Sequence, residues 1–194
     1  MDKELINVNK ITNNKFLNIY KLKYAIYDNT RYEEKNYFMS SRKTKKNLVC
    51  MNKINNIKAD ACMVIPVDKD NNIIMIKEFR ETINDYIYSF PAGIMEINES
   101  EDNCAIRELK EETGLEVLKI KKLINSRPSC VGISDECISI YIALVDGELT
   151  NKYQNLNEDI SFIKIKQNDI INSNTINKFN IICTCNNYKY ENKF

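Results

Sequence analysis

Several short stretches of this chain either alternate apolar and polar residues or are rich in β-branched and aromatic residues, and both patterns are typical of β-strands. The stretches are FLNIYKLKYAIYD, KNYFMSS, ACMVIPVD, NIIMIKEFR, YIYSFP, VLKIKKLINSR, CISIYIALVD and DISFIKIK. The first two lie between Ile11 and Val49 around an Asn-Thr-Arg turn, which predicts a small antiparallel sheet. We therefore expect a β-rich N-terminal subdomain over residues 1–55 and a larger domain over residues 56–194.

One segment departs from this alternation and predicts a short helix. Ser100 is suited to cap its N-terminus, and Gly114 is suited to end it in the left-handed conformation. At about 100° per residue, Ile106 and Leu109 are expected to point toward a core. A neighbouring stripe combines acidic and small side chains, namely Glu101, Cys104, Ala105, Glu108, Glu111 and Glu112. A second helix is predicted from Gln167 or Asn168 to Phe179, although its residues are poor helix formers.

The acidic stripe of the first helix is unfavourable by itself. Carboxylates three and four positions apart repel one another by roughly 0.2–0.5 kcal/mol per pair, and a divalent cation would remove that cost. Mg²⁺ takes one or two carboxylates together with water and substrate phosphate. Arg107 can reach back to Glu99 or forward to Glu111 and fix a carboxylate's orientation. The spacing therefore indicates a metal–diphosphate site, and a solvated surface helix is the alternative.

The run from Gly93 to Leu115, GIMEINESEDNCAIRELKEETGL, resembles the Nudix box, G-x5-E-x7-R-E-U-x-E-E-x-G-U, where U is aliphatic. Every fixed position matches: Gly93, Glu99, Arg107, Glu108, Leu109, Glu111, Glu112, Gly114 and Leu115. The resemblance implies that Glu108, Glu111 and Glu112 hold Mg²⁺ or Mn²⁺, that Glu99 supports the loop and that Arg107 orients the carboxylates. It also implies cleavage of a nucleoside diphosphate linked to another group, by a metal-bound water whose proton a carboxylate takes.

The stretch before the box, EFRETINDYIYSFPAG, resembles the same segment of ADP-ribose pyrophosphatases. By that resemblance, Arg80 contacts substrate phosphate and the backbone carbonyl of Ala92 is a metal ligand. A surface charge on a strand is the alternative for Arg80. Ser89 departs from the pattern, because many relatives with the P-A-G sequence carry a glutamate at that position.

Two segments after the box resemble the same subfamily more loosely. RPSCVGISDECISIYIAL resembles a loop that places Ser134 and Glu136 over the diphosphate or ribose, although Glu136 is equally explained as an acidic turn residue. YQNLNEDISFIKI resembles the segment that opens the last strand of the sheet. There, Glu158 takes the position of a further metal ligand or general base, with Asp159 beside it.

Composition limits the remaining chemistry. The 28 basic and 27 acidic residues give a net charge of +1, which favours no nucleic acid or anionic membrane as partner. The chain has no histidine, so proton transfer must fall to carboxylates, Tyr, Lys, Cys or water. Seven cysteines without CxxC spacing indicate neither a disulfide framework nor a zinc site. No membrane span or secretory segment is recognisable, so a cytoplasmic location is expected.

The resemblance implies an α/β fold, the Nudix α/β/α sandwich with a mixed β-sheet, preceded by a small antiparallel sheet. It also implies a homodimer whose N-terminal subdomain lies on the dimer and substrate side. The expected reaction is Mg²⁺- or Mn²⁺-dependent hydrolysis of ADP-ribose to AMP and ribose 5-phosphate. The alternatives are a pyrophosphatase of nucleotide sugars such as ADP-glucose or GDP-mannose, and a non-catalytic nucleotide-binding sensor.

Overall fold

The secondary structure is taken from a computed structural model, which describes residues 1–52, 57–154, 159–166 and 169. Within these residues the strands are β1 (Asp2–Lys10), β2 (Asn18–Tyr27), β3 (Tyr32–Ser41), β4 (Ala61–Val67), β5 (Asn72–Arg80), β6 (Asp85–Ser89), β7 (Ala92–Ile94), β8 (Glu116–Pro128), β9 (Cys137–Asp146) and β10 (Ile160–Lys166). The helix α1 spans Glu101–Thr113, and two short 3-10 turns span Lys45–Asn47 and Val49–Met51. The second predicted helix, over 167 or 168 to 179, lies outside the described residues except for residue 169.

The chain divides into two compact units. The first combines residues 1–61 with residues 125–139, and the second combines residues 62–124 with the chain from residue 140 onward. The domain boundary expected at residues 55 and 56 remains a prediction. The segment 125–139 joins the first unit from a distant part of the sequence.

The first unit contains the small antiparallel sheet that the sequence predicts. Its strand order is β1-β2-β3, with Asp2 opposite Tyr27 in the first pair and Asn18 opposite Ser41 in the second. The strands of this sheet contribute Val8, Tyr20, Leu22 and Met39 to one apolar cluster, which also includes Leu48. The strand β1 is absent from the sequence prediction, because most of its side chains are exposed and only Val8 is buried.

The second unit contains a mixed seven-stranded sheet. Its main path runs β10-β5-β4-β9-β8, with β6 paired to β5 and β7 paired to β4. The helix α1 packs Cys104, Ala105 and Leu109 into a cluster with strand residues such as Val64 and Tyr141. A second cluster forms around Met75, Ile142 and Ile165. Because neighbouring residues of a strand point to opposite faces, Ile74 and Met75 place these clusters on opposite sides of β5.

The predicted fold class, a mixed sheet with an antiparallel N-terminal sheet before it, is confirmed. The bounds of β5 and β9 coincide with the predicted stretches NIIMIKEFR and CISIYIALVD. Leu109, which was expected to point toward the core, is fully buried. The same expectation is wrong for Ile106, which is 40% exposed. Among the described residues, no helix has the length and apolar character needed to cross a membrane.

Candidate active site

A cavity of about 680 Å³ lies in the second unit, where the β5–β6 hairpin, β7, β10 and α1 meet. Its described lining consists of Glu78, Phe79, Arg80, Glu81, Tyr86, Ala92, Gly93, Ile94, Glu108, Glu112, Asp159 and Ile160. Five of these side chains are carboxylic acids and one is a guanidinium. A diphosphate would be repelled by so acidic a lining unless a cation accompanied it.

The helix that supplies two of these carboxylates begins and ends where its local residues dictate. The Asn103 N–H donates to Ser100 Oγ over 3.2 Å, which satisfies one of the unpaired donors of the first turn. Gly114 adopts φ 77°, and its N–H donates to the Lys110 carbonyl over 2.9 Å. A Cβ added to Gly114 would lie 2.3 Å from Thr150 Cγ2, so both conformation and space favour glycine.

Arg107 joins three glutamates of the box. Its Nε and Nη2 donate to the two oxygens of Glu99 over 2.8 and 2.9 Å. Its Nη1 donates to Glu108 Oε1 over 2.7 Å and to Glu111 Oε2 over 3.1 Å. Nη2 also donates to the Ile94 carbonyl over 3.2 Å, which ties the loop before the helix to the helix itself.

These contacts shift the protonation equilibria of both partners. The hydrogen bonds from Arg107 lower the pKa of Glu99 to about 2, so this carboxylate stays ionised at any physiological pH. The same hydrogen bonds hold the pKa of Arg107 well above its usual range. Arg107 and Glu99 therefore both keep their charge throughout the physiological pH range.

Gly93 makes room for the Glu108 carboxylate. A Cβ at position 93 would lie 2.0 Å from Glu108 Cδ and 2.0 Å from Oε1, far inside van der Waals contact. The Glu108 side chain is only 12% exposed. The glycine that begins the box therefore forms a cradle for the first glutamate of the predicted metal site.

Glu112 is tied to the segment before the box. The Ala92 N–H donates to Glu112 Oε2 over 3.0 Å, and Glu112 as a whole is 7% exposed. This contact fixes the P-A-G segment against the helix. Glu111 differs from its neighbours, because its side chain is 40% exposed.

The donor set suits a hard divalent cation. Carboxylate and carbonyl oxygens are the ligands that Mg²⁺ prefers, and Glu108, Glu112 and Ala92 line one cavity. In the part of the chain described, no three acidic or thiol side chains converge closely enough to enclose a metal by themselves. Mg²⁺ binds through one or two carboxylates and leaves its other positions to water and phosphate. The residues therefore fit a site in which the substrate's phosphate supplies some of the metal ligands.

Arg80 lies at the cavity on the last residue of β5. Its Nη2 donates to Glu78 Oε1 over 2.8 Å, and Ser89 Oγ donates to the same oxygen. Glu78 is 9% exposed and was not expected at the site, because its role depends on the pairing of β5 with β6.

Tyr86 is another cavity residue that sequence reasoning missed. Its hydroxyl donates to Asp159, and its ring packs edge-on against Phe79 with centroids 5.3 Å apart. The Asp159 carboxylate raises the pKa of the Tyr86 hydroxyl through this hydrogen bond. Glu158, the residue predicted as a metal ligand or base, lies outside the described residues.

Ser134 and Glu136 belong to the first unit. The Glu136 N–H donates to Ser134 Oγ over 3.0 Å, and the Glu136 carboxylate forms an ion pair with Arg42. In the same unit, Tyr37 donates its hydroxyl to the Gly132 carbonyl over 2.6 Å. Ser134 and Glu136 are therefore held in an ordered turn, and their contact with substrate remains a prediction.

Comparison with known proteins agrees with the sequence motif. Residues 57–182 match the profile of the NUDIX domain. An ADP-ribose pyrophosphatase of Bacillus subtilis is 34% identical over 107 residues, which are 55% of this chain and 56% of that protein. A mouse ADP-sugar pyrophosphatase is 45% identical over 60 residues, which are 29% of this chain and 28% of that protein. A methanol dehydrogenase activator of Bacillus methanolicus is 37% identical over 83 residues, 43% of this chain and 44% of that protein.

A solved structure, described as the crystal structure of an ADP compounds hydrolase, resembles this chain with a TM-score of 0.64 at 17% identity. The match covers 86% of this chain and 79% of that one, and it shows a shared fold. The aligned regions span 56% or less of the length of the three curated relatives.

Proposed function

This chain belongs to the Nudix family, and from that membership we propose that it is a metal-dependent hydrolase of nucleoside diphosphate derivatives. The substrate we propose is ADP-ribose, cleaved to AMP and ribose 5-phosphate. A single observation carries the proposal: Glu108, Glu112, Ala92 and Arg80 line one cavity, so the proposed cation ligands and the proposed phosphate-binding arginine would face the same substrate.

The proposed roles follow from chemistry and exposure. Glu108, Glu111 and Glu112, with the Ala92 carbonyl, would hold Mg²⁺ or Mn²⁺, which would neutralise the diphosphate and lower the pKa of a bound water. Arg80 would bind a phosphate oxygen, since a guanidinium recognises phosphate through paired N–H donors.

Arg107 has a supporting role in this proposal. Its contacts with Glu99, Glu108 and Glu111 hold the carboxylates in place before substrate arrives. Preorganised charges lower a reaction barrier more than charges that must be reoriented. We therefore assign it to orientation of the metal ligands.

The remaining predicted residues complete the proposal. Glu158 would act as the general base that takes the proton of the attacking water, because the chain has no histidine for that role. Ser134 and Glu136 would contact the diphosphate or the ribose of the substrate. The proposed assembly is a homodimer, with the N-terminal subdomain as its contact.

A second candidate substrate class is the ADP-sugars. The 45% identity to the mouse ADP-sugar pyrophosphatase over 60 residues favours it. The chemistry at the diphosphate is the same for both classes, and only the leaving group differs.

AMP release from ADP-ribose and from ADP-glucose, with Mg²⁺ and with EDTA, tests the proposal. We expect metal-dependent release with a higher kcat/KM for ADP-ribose. A higher kcat/KM for ADP-glucose would retain the hydrolase and change its substrate class. No release from either nucleotide would contradict the proposed reaction.

A further inference from the structure

Three polar side chains of the β5–β6 hairpin, Glu78, Arg80 and Ser89, lie on one face, and Glu78 and Arg80 line the cavity. Glu78 and Arg80 are two positions apart on β5, so they point to the same side of the sheet. The antiparallel register pairs Ile76 with Ser89, which makes Ser89 the diagonal neighbour of Glu78 on that side. The pairing of the strands therefore brings the three side chains together.

Exposure separates the members of this group. Glu78 is 9% exposed, whereas the side chain of Arg80 is 49% exposed. A carboxylate so far from water requires hydrogen-bond donors, and Glu78 Oε1 receives two, from Arg80 Nη2 and from Ser89 Oγ. The group thus consists of a buried anion, a hydroxyl that supports it and a cation that reaches the cavity.

Arg80 is the one basic side chain among the described residues that line this acidic cavity. An arginine presents five N–H donors in a planar fork, so a guanidinium held by one carboxylate keeps donors for a second anion. A long side chain that is already fixed loses less freedom when it binds. The Glu78 contact therefore prepares Arg80 for an anionic ligand.

The carboxylate of this group and the hydroxyl that supports it come from different strands. Ser89 lies on β6. Here the carboxylate comes from Glu78 on the neighbouring strand, and the short side chain of Ser89 donates to it. The two positions lie on the same face of the hairpin, so one carboxylate can serve from either strand.

We propose that Glu78 is a positioning residue that holds Arg80 for the substrate diphosphate, and that Ser89 completes this support. The inference deepens the proposed function and rests on it, because it requires a diphosphate to occupy the cavity. The role differs from that of a metal ligand, since Glu78 acts through Arg80.

Binding of inorganic pyrophosphate in the presence of Mg²⁺, measured by isothermal titration calorimetry, tests the proposal without turnover. Glu78→Gln keeps the shape of the side chain and removes its charge. We expect this variant to bind pyrophosphate about tenfold more weakly than the native protein, as for the loss of one charge-assisted contact. Glu34→Gln is the matched control, because it removes a carboxylate that pairs with Lys23 on the neighbouring strand of the first unit.

A double-mutant cycle distinguishes positioning from a general structural effect. If Glu78 acts through Arg80, Glu78→Gln weakens pyrophosphate binding in the native background and has no further effect in an Arg80→Ala background. Additive losses, or a Glu78→Gln variant that binds as tightly as the native protein, would overturn the proposal. Thermal unfolding of each variant verifies that it is folded.

An exchange variant tests the part that concerns position 89. Glu78→Gln combined with Ser89→Glu returns a carboxylate from the other strand, and we expect affinity within about threefold of the native value. If the affinity for pyrophosphate does not recover, the inference that the carboxylate can serve from either strand is wrong. AMP release from ADP-ribose is measured on the native protein in parallel: its absence, with the coupling intact, would contradict the proposed substrate and leave the positioning role supported.

Discussion

Among the glutamates of the box, Glu112 and Glu108 are shielded from solvent, whereas Glu111 is not. Glu112 is 7% exposed, and the side chains of Glu108 and Glu111 are 12% and 40% exposed. A charge in a shielded position interacts more strongly with a neighbouring cation than one in water. The three predicted metal ligands are therefore expected to contribute unequally.

Glu112→Gln preserves the shape of the side chain and removes its charge. We expect kcat for AMP release to fall by at least about a hundredfold, and Glu111→Gln to cause a smaller loss. Steady-state kinetics at saturating Mg²⁺ measures both. Glu116→Gln is the control. Glu116 lies just beyond the box, and its carboxylate is 69% exposed and pairs with Lys110. Native turnover in Glu112→Gln would contradict the site assignment.

Gly93→Ala tests the cradle under Glu108. The added Cβ would lie 2.0 Å from the Glu108 carboxylate, so that side chain must leave its position. We expect loss of turnover and a lower melting temperature, measured by kinetics and thermal unfolding. Gly132→Ala provides the comparison for stability, because no atom lies within 4 Å of a Cβ built there. Equal melting temperatures for the two variants would mean that the cradle is not tightly packed.

At the scale of elements, Arg107 connects the loop after β7 to the helix α1. It contacts the Ile94 carbonyl at the end of β7, Glu99 in the loop, and Glu108 and Glu111 on the helix. The pKa of Glu99 is about 2 in the folded protein, against an ordinary value of 4.5. A lowered pKa means that ionised Glu99 stabilises the folded state, and that this contribution is fully present above pH 4.5.

The contribution of Glu99 should be lost as the pH falls from about 4.5 toward 2. We expect Glu99→Gln to lower the free energy of unfolding by on the order of 1–2 kcal/mol at pH 7, and by progressively less as the pH falls through this window. Urea unfolding at several pH values measures the difference. A difference that stays constant with pH would mean that the ion pair contributes nothing beyond packing.

Local signals were sufficient to predict some elements. Ser100 and Gly114 mark the ends of α1, and the structure begins and ends the helix beside them. Residue type was sufficient for β9, because its run of apolar and β-branched residues favours a strand, and most of these residues are buried. Ile106 was mispredicted, since periodicity gives the direction of a side chain but not where the neighbouring sheet stops.

Features that depend on pairing between distant residues could not be predicted. The strand β1 has only Val8 buried and forms by pairing with β2, so its own pattern carries little signal. Glu78 looked like an ordinary charge within a strand, and only the register of β5 with β6 brings it to Ser89. For the same reason, nothing in the sequence indicated that residues 125–139 join the N-terminal unit.

At the scale of the whole molecule, the homodimer is a prediction with a direct test. Light scattering during size-exclusion chromatography should give twice the chain mass of 22.7 kDa. Apolar side chains on β3 of the first unit, including Phe38 at 57% and Tyr32 at 63% exposed, are candidates for its contact. Phe38→Ser is then expected to shift the mass toward one chain, and a native mass of 22.7 kDa would contradict the prediction.

The most direct test of the central claim is AMP release from ADP-ribose with Mg²⁺ and with EDTA, alongside ADP-glucose, GDP-mannose and a nucleoside triphosphate. The account predicts cleavage that requires the metal and favours ADP-ribose, because the cavity combines the proposed cation ligands with Arg80, the proposed phosphate-binding residue. Cleavage that persists unchanged in EDTA, or no cleavage of any of the four substrates, would contradict it.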